Sequence, residues 1–458
     1  MAAEGIVRKV FPEDSRNQYA VILKLAWPAI LSQVSQTLFG LVDTLMIGKT
    51  GNVHFLAASA LANNILSLPI VFLVGISYAA TPKIASHYAV SDIDFCRKLL
   101  SQSILNNFFW CLCVCLLLFF LIPFGSNLDV DARVLTEAVP FFFLLIFSLP
   151  GIAVFQSFRQ FYDGLGRTKP GMVASLAANG LNIVLNYLLI FGAFGFPEMG
   201  LTGAAIANII CRWVMGIGMA VFFISERKSA VWRQNFLSIG IKWQEIKLLN
   251  TMGFPISFQF LFEVGAFTCT AILAGQMGPE SLSAHQVVIS IASITYMAAS
   301  GISTAATVRV GHYLGLNNRQ MIRDSAIKSM VLTTVFMGLT ALIFILFSRE
   351  IPGLFIQNQD VVAASSLLFI IAGIFQISDG LQVVALGCLR GLGDVKIPTL
   401  FTFLAYWAIA IPLGYILGFN FSFGPEGIWW GLLSGLSVSA IFMLFRFFSI
   451  IKKSQIRN

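Results

Sequence analysis

The sequence predicts an all-α polytopic membrane protein: twelve transmembrane helices in two six-helix lobes, related by a pseudo-two-fold along the membrane normal. Three observations predict it. Of 458 residues, 57% are hydrophobic and 11% charged, with mean hydropathy +0.83; soluble domains have about 45–50% apolar and about 25% charged residues. Twelve apolar runs each approach or exceed the roughly 20 residues that a bilayer crossing needs. The second half of the chain repeats the first at a nearly constant offset.

The spans read out at roughly 19–48, 54–80, 98–122, 136–161, 170–192, 199–224, 247–276, 282–305, 326–348, 361–388, 398–418 and 427–450. The first begins near Tyr19, after a polar stretch with charges of both signs. It is too long for a signal-peptide core and is followed by more spans, so cleavage is not expected. With the N-terminus inside, 25 of the 29 Lys and Arg fall on the inner side and three (Lys49, Arg133, Arg349) outside, while Arg212 sits within a span. Basic residues favour the cytoplasmic side, so both termini are expected in the cytoplasm. The net charge of +8 then reflects topology, and no nucleic-acid partner is implied.

Span one holds Pro28, Gln36 and, near its outer end, Asp43. Gln36 precedes Asp43 by seven residues, which puts both on one helix face. A carboxylate inside a span is costly and marks a functional site by default; the bland alternative is a helix-end residue near the outer surface. Span three holds Cys111, Cys113 and Cys115, which at steps of two scatter around a helix with no His nearby. They read as small apolar residues. The four His (His54, His87, His285, His312) are too dispersed for a metal site. In span five, Asn179, Asn182 and Asn186 step by three and four and form a stripe placed to face Asp43; Asn in a span also bonds helices together without further role. Arg212, midway along span six, needs an anion or carbonyls, as a structural pair or a substrate contact.

Residues 225–246 carry the longest charged segment and read as a cytoplasmic linker between an N-lobe, 1–224, and a C-lobe, 247–458. Trp232, Phe236, Ile239 and Trp243 allow an interfacial amphipathic helix or a plain tether. Span seven carries Pro255, Gln259, Glu263 and Thr270 on steps of four and seven. Glu263 reads as a cation or proton site, or else as a structural carboxylate satisfied by neighbouring donors. Asp379 in span ten, flanked by Gln376 and Gln382, is its candidate partner. Pro28 and Pro255 remove a backbone bond each, as gates or as packing bends.

The repeat binds these elements together. At an offset of 227, Pro28 falls on Pro255, Gln36 on Glu263, Gly48 on Gly275 and Gly51 on Gly278. Gly75-Ile76-Ser77 recurs as Gly301-Ile302-Ser303, and Gly164-Leu165-Gly166 as Gly391-Leu392-Gly393. The glycine pairs read as tight cytoplasmic turns, since no strand precedes them as a nucleotide loop would require. Each half thus has one acid and one neutral polar residue on equivalent faces, in swapped order. Repeats of this kind are an architecture of secondary transporters with alternating access.

The motifs resemble the MATE family, the multidrug and toxic compound extrusion transporters, and within it the NorM-like branch. The resemblance is carried by Val42-Asp43-Thr44 with Gly48, by Asn182-Ile183-Val184-Leu185-Asn186, by Phe262-Glu263, and by Asp379-Gly380-Leu381-Gln382 running into Leu389-Arg390-Gly391-Leu392-Gly393-Asp394. It covers nearly the whole chain. It implies export of small organic cations, drugs and dyes, by antiport with H+ or Na+. It places one cation site at Glu263 and Asp379 and another at Asp43, Asn182 and Asn186. Na+ at Glu263 and Asp379 is the only metal it admits, and it implies no cofactor. Gln36, Gln259, Gln382, Arg212, Pro28 and Pro255 are candidates for the substrate cavity or gating. The expected setting is the plasma (inner) membrane, as a monomer among membrane lipids. Some NorM-like proteins have a tyrosine one turn before the span-ten aspartate; here it is Phe375, which removes a Na+ contact and leans toward protons. Two rivals are a lipid-linked oligosaccharide flippase, which wants a basic cavity, and an intramembrane transferase, which wants a dense polar constellation at one membrane face.

Overall fold

The computed structural model describes residues 18–121, 131–226, 230–233, 236, 239–356 and 358–455, of which 453–455 are described as backbone only. Twelve helices among them are long and apolar enough to cross a membrane. They are α1 (Gln18–Gly48), α2 (Val53–Ala89), α3 (Ile93–Leu121), α4 (Ala132–Gly164), α5 (Lys169–Phe191) and α6 (Gly200–Ser225) in the first half. The second half has α7 (Trp243–Gln276), α8 (Pro279–Gly315), α9 (Arg319–Leu346), α10 (Gln359–Gly391), α11 (Lys396–Asn420) and α12 (Gly424–Lys452). In hydrocarbon every backbone polar group needs an internal partner, and a helix supplies it within one segment.

Helix starts follow side-chain caps. Asn52 accepts from His54 N and Phe55 N, Asp131 from Arg133 N, Asn318 from Met321 N and Asn358 from Asp360 N. Each satisfies an amide that the first turn leaves open. The repeat reappears in the turns: Gly51 and Gly278 have φ of +72° and +121°, and Gly166 and Gly393 have φ of +71° and +81°. These are values that side chains with a Cβ rarely adopt.

Several helices outrun the apolar runs that announce them. α2 continues to Ala89 with a turn at Tyr78–Ala79, α8 reaches Gly315 and α10 reaches Gly391. The added turns bury Arg309 and Arg390, and α4 buries Arg159 near its end, so Arg212 is not the sole basic residue inside the helices. Trp232 of the linker is buried against Tyr88 and Phe161. Residues 227–229, 234–235 and 237–238 of that linker lie outside the described residues. α11 contains two π-helical stretches, Leu404–Ala410 and Ile416–Asn420, on either side of Pro412. Pro412 cannot donate the ordinary helical bond, and wider turns are one way to absorb that loss.

Two compact units emerge. One comprises residues 31–88 and 92–257, the other residues 18–30, 89–91 and 258–455. The change of unit falls after Ile30 in α1 and after Ser257 in α7, positions separated by the repeat offset. The first unit has a core of Ala58, Leu66, Phe141, Leu145 and Ile190; the second is built around Phe344, Phe369, Phe375, Tyr406 and Trp429. Within the first, Gly75 of α2 meets Ser257 of α7 so closely that a Cβ would overlap the Ser257 backbone; within the second, Gly301 of α8 meets Ile30 of α1 in the same way. Small residues allow helix backbones to approach where lipid offers no hydrophobic drive. Gly75→Val and Gly301→Val should therefore each lower the melting temperature of purified protein, by the order of 1–3 kcal/mol that overpacking costs. Gly180→Ala, which faces open space, should not.

Candidate functional site

The unit built mainly from the first half gathers its polar span residues around Asp43. Asp43 is buried in α1. Its Oδ1 accepts from Asn182 Nδ2 at 3.1 Å and from Asn186 Nδ2 at 2.7 Å, both on α5. Its Oδ2 accepts from Asn208 Nδ2 of α6 at 2.7 Å. Helix spacing explains the α5 pair: positions four apart lie one above the other on a face. Asn186 Nδ2 also donates to Asn182 Oδ1 at 3.2 Å. Three amide donors on one carboxylate are charge-assisted bonds, stronger than neutral ones. The amide oxygens of Asn186 and Asn208 are buried without a hydrogen-bond partner among the described residues, so acceptors outnumber donors here.

Asn179, the third member of the stripe, does not reach Asp43. It donates to Ser35 O at 2.9 Å and fastens α5 to α1, together with Ser32 Oγ and Ser175 Oγ at 2.9 Å. Gln36 stays on its own helix and donates to Ser32 O at 3.3 Å. Arg212 donates to Ser148 Oγ at 2.7 Å, while its charge acts on Asp43. Asn208 is absent from the sequence-based set. Its signal was its place one turn before Arg212, two polar residues on one face of an otherwise apolar span.

The other unit brings Glu263 of α7 and Asp379 of α10 within electrostatic reach of one another. α10 is fixed for this by its packing on α8. No Cβ fits at Gly387 against Ser303, Ser303 Oγ donates to Val383 O at 2.7 Å and Thr307 Oγ1 donates to Gly387 O at 2.8 Å. One turn before Asp379, Gln376 Nε2 donates to Thr295 Oγ1 at 2.9 Å. Both acids are buried. Hydroxyls of Tyr296 from α8 and Tyr406 from α11 turn toward Glu263, yet Glu263 Oε1 has no hydrogen-bond partner among the described residues. Asp379 has neither hydrogen bond nor ion pair among them. Gln382 Nε2 donates to Tyr406 Oη at 3.1 Å. Thr270 donates to Phe267 O on its own helix at 2.8 Å and takes no part.

Phe375 stacks on Trp429, with ring centroids 5.6 Å apart at 19°, and offers nothing polar. The hydroxyls near the acids come instead from Tyr296 and Tyr406, which sequence reasoning did not single out among nine tyrosines. Gln259, one turn before Glu263, is held at both ends: Nε2 donates to Val395 O at 3.2 Å and Oε1 accepts from Arg390 Nη2 at 2.9 Å. Pro28 and Pro255 lie inside α1 and α7, each two residues before the change of unit. No group of three or more His, Cys, Asp or Glu among the described residues is placed to hold a metal.

The MatE family profile matches this chain twice, over residues 28–188 and 255–416. The chain belongs to the MatE family. The two matched stretches begin at Pro28 and Pro255, which is the internal repeat seen independently. Among MatE relatives, multidrug resistance protein MdtK of Yersinia pseudotuberculosis (serotype O:1b, strain IP 31758) is 31% identical over 434 residues, 93% of this chain and 94% of the relative. MdtK of Yersinia enterocolitica (serotype O:8 / biotype 1B, strain NCTC 13174 / 8081) gives the same identity and coverage. The eukaryotic MATE transporter AtDTX14 superposes with a TM-score of 0.86 over 97% of this chain and 100% of its own, at 22% identity. VcmN, a MATE transporter of Vibrio cholerae, gives 0.88 over 96% and 98% at 20% identity. This is therefore an integral membrane protein with the MATE transporter fold. Asn208→Ala should leave Asp43 Oδ2 without its donor and destabilise the fold by about 1–3 kcal/mol, the cost of an unpaired buried group, read as a lower melting temperature.

Proposed function

We propose that the chain is a secondary active multidrug efflux transporter. It exports small cationic, aromatic compounds in exchange for H+ or Na+, by alternating access of two lobes, residues 1–224 and 247–458. The observation that carries this reading is the pair Glu263 and Asp379: two buried carboxylates acting on each other, one with an unpartnered oxygen and the other with no hydrogen bond among the described residues. Carboxylates held this way inside a membrane need a cation. A proton, a Na+ with its preference for oxygen ligands, and an organic cation all meet that need, and only one is accommodated at full strength at a time. Exchange follows from competition for the same negative charge, and aromatic faces add affinity for an organic cation.

Asp43 with Asn182 and Asn186, joined by Asn208, forms the second cation-responsive centre. Gln36, Gln259, Gln382 and Arg212 tune the surroundings of the two centres, and Pro28 and Pro255 provide compliance. The protein works as a monomer in the plasma (inner) membrane, among its lipids, with both termini in the cytoplasm; the placement of 25 of 29 Lys and Arg supports that orientation.

Efflux of a cationic dye from everted vesicles, with Na+ and pH gradients imposed separately, tests the reading and identifies the coupling ion. Glu263→Gln and Asp379→Asn should each reduce gradient-driven export by at least about tenfold, one tenfold step being about 1.4 kcal/mol. Export at the unsubstituted rate in both variants would remove the C-lobe acids from the mechanism.

A further inference from the structure

We propose that Arg309 holds a small monatomic anion, chloride, as a fixed counter-charge inside the unit built mainly from the second half. The inference goes beyond the transport reading and does not depend on which cation the buried acids take.

Arg309 lies near the end of α8 and is 0% exposed, one of the largest fully buried side chains of the protein. A guanidinium keeps its charge and offers five N–H bonds. Nε donates to Ser325 Oγ of α9 at 3.4 Å, and Nη2 donates to Tyr313 Oη, one turn further on, at 3.0 Å. The guanidinium carbon stands 5.2 Å from the centre of the Tyr313 ring. Nη1 is buried with no hydrogen-bond partner among the described residues. Arg309 makes no ion pair among them, and neither does Asp324, the residue before Ser325. The contacts beyond are uncharged: Ser325 Oγ donates to Gln18 Oε1 of α1 at 3.4 Å, and Gln18 Nε2 donates to Met321 Sδ at 3.3 Å. Gln18, Tyr313 and Ser325 are themselves buried.

The internal repeat supplies a second, independent observation. A Cβ at Gly164 of α4 would meet Ile84 and Thr81 O of α2, and a Cβ at Gly391 of α10 would meet Val310 and Thr307 O of α8. These are the same helix crossing in the two halves, because Thr81, Ile84 and Gly164 fall on Thr307, Val310 and Gly391. The residues just before each contact are Lys83 and Asp163 in the first half, and Arg309 and Arg390 in the second. The first crossing thus carries charges of both signs, whereas the acid is not repeated at the second. A buried charge without an opposite one is strongly disfavoured. Hydroxyls and a ring face offset part of it; an anion on Nη1 offsets the whole, since Coulomb attraction is weakly screened in the interior. The close approach of α8 and α10 suits a monatomic ion better than a phosphate or a carboxylate. A water on Nη1 would complete the hydrogen bond and leave the charge unmatched, which predicts a different response to salt.

Purified full-length protein is melted in sodium chloride, sodium bromide and sodium gluconate at one pH and one ionic strength, so that every sample holds the same cation. Both halides should raise the melting temperature over gluconate by about 2–4 °C, the effect of a ligand well above its Kd on the native state alone. Arg309→Gln should abolish the difference. Crystals of the unsubstituted protein grown in bromide should show an anomalous peak against Arg309 Nη1. Equal melting in the three salts overturns the inference: with no peak, water hydrates the guanidinium; with a peak, the halide is an adventitious ion only. A halide effect that persists in Arg309→Gln places the anion elsewhere and overturns it too, as does the lack of a peak at Nη1 whatever the melting shows. Should Arg309→Gln not fold, the peak and the halide shift of the unsubstituted protein decide together.

Discussion

A carboxylate inside a bilayer must be given hydrogen bonds, a counter-charge or a bound cation, because its burial alone is prohibitive. This chain meets the requirement in two ways. Asp43 takes bonds from three asparagines on two neighbouring helices. Glu263 and Asp379 are left with open acceptor capacity among the described residues, near two tyrosine hydroxyls. Much of the remaining structure serves these arrangements. The close packing of α10 on α8 fixes Asp379, and the Ser32–Ser175 and Ser35–Asn179 contacts fix α5 against α1.

The two centres differ in the balance of donors and acceptors, and the difference has consequences. Around Asp43 every carboxylate bond comes from a neutral amide, and the amide oxygens of Asn186 and Asn208 have no hydrogen-bond partner among the described residues. Protonated Asp43 keeps acceptor capacity and gains one donor, which the open amide oxygens of Asn186 and Asn208 can accept. At Glu263 and Asp379 fewer bonds stand in the way, and mutual repulsion between the acids favours anything that brings positive charge. Equivalent positions in a repeat therefore supply unequal chemistry, as the swapped order of Gln36 and Asp43 against Glu263 and Thr270 first indicated.

Span number, span order and the repeat were legible because each depends on composition along the chain alone. The three acids were legible because their cost makes them rare in apolar runs. Asn182 and Asn186 were legible by their helical step. Asn208, Tyr296, Tyr406 and Arg390 were not, for one physical reason: periodicity states which residues share a face of one helix, but not which face meets which neighbour. Tyr406 also sits in a π-helical stretch, where the 3.6-residue rule fails. Arg390 read as part of a cytoplasmic turn because the apolar signal ends before it, whereas the helix continues while its charged residues find partners. Gln36 and Arg212 share their regions with Asp43 but engage Ser32 and Ser148, which no spacing rule could distinguish.

The chain changes unit within both α1 and α7. α1 contributes its first turns to the second unit and Asp43 to the first; α7 contributes its first turns to the first and Glu263 to the second. Both helices run unbroken through these points. Each helix contains a proline just before that point, where one backbone bond is already missing and bending costs least. Asp43 and Glu263 lie beyond these prolines on the same continuous helices. A ligand shifts a conformational equilibrium only by its differential affinity for the two states, and a charge carried on a helix that bends is one route to such a difference.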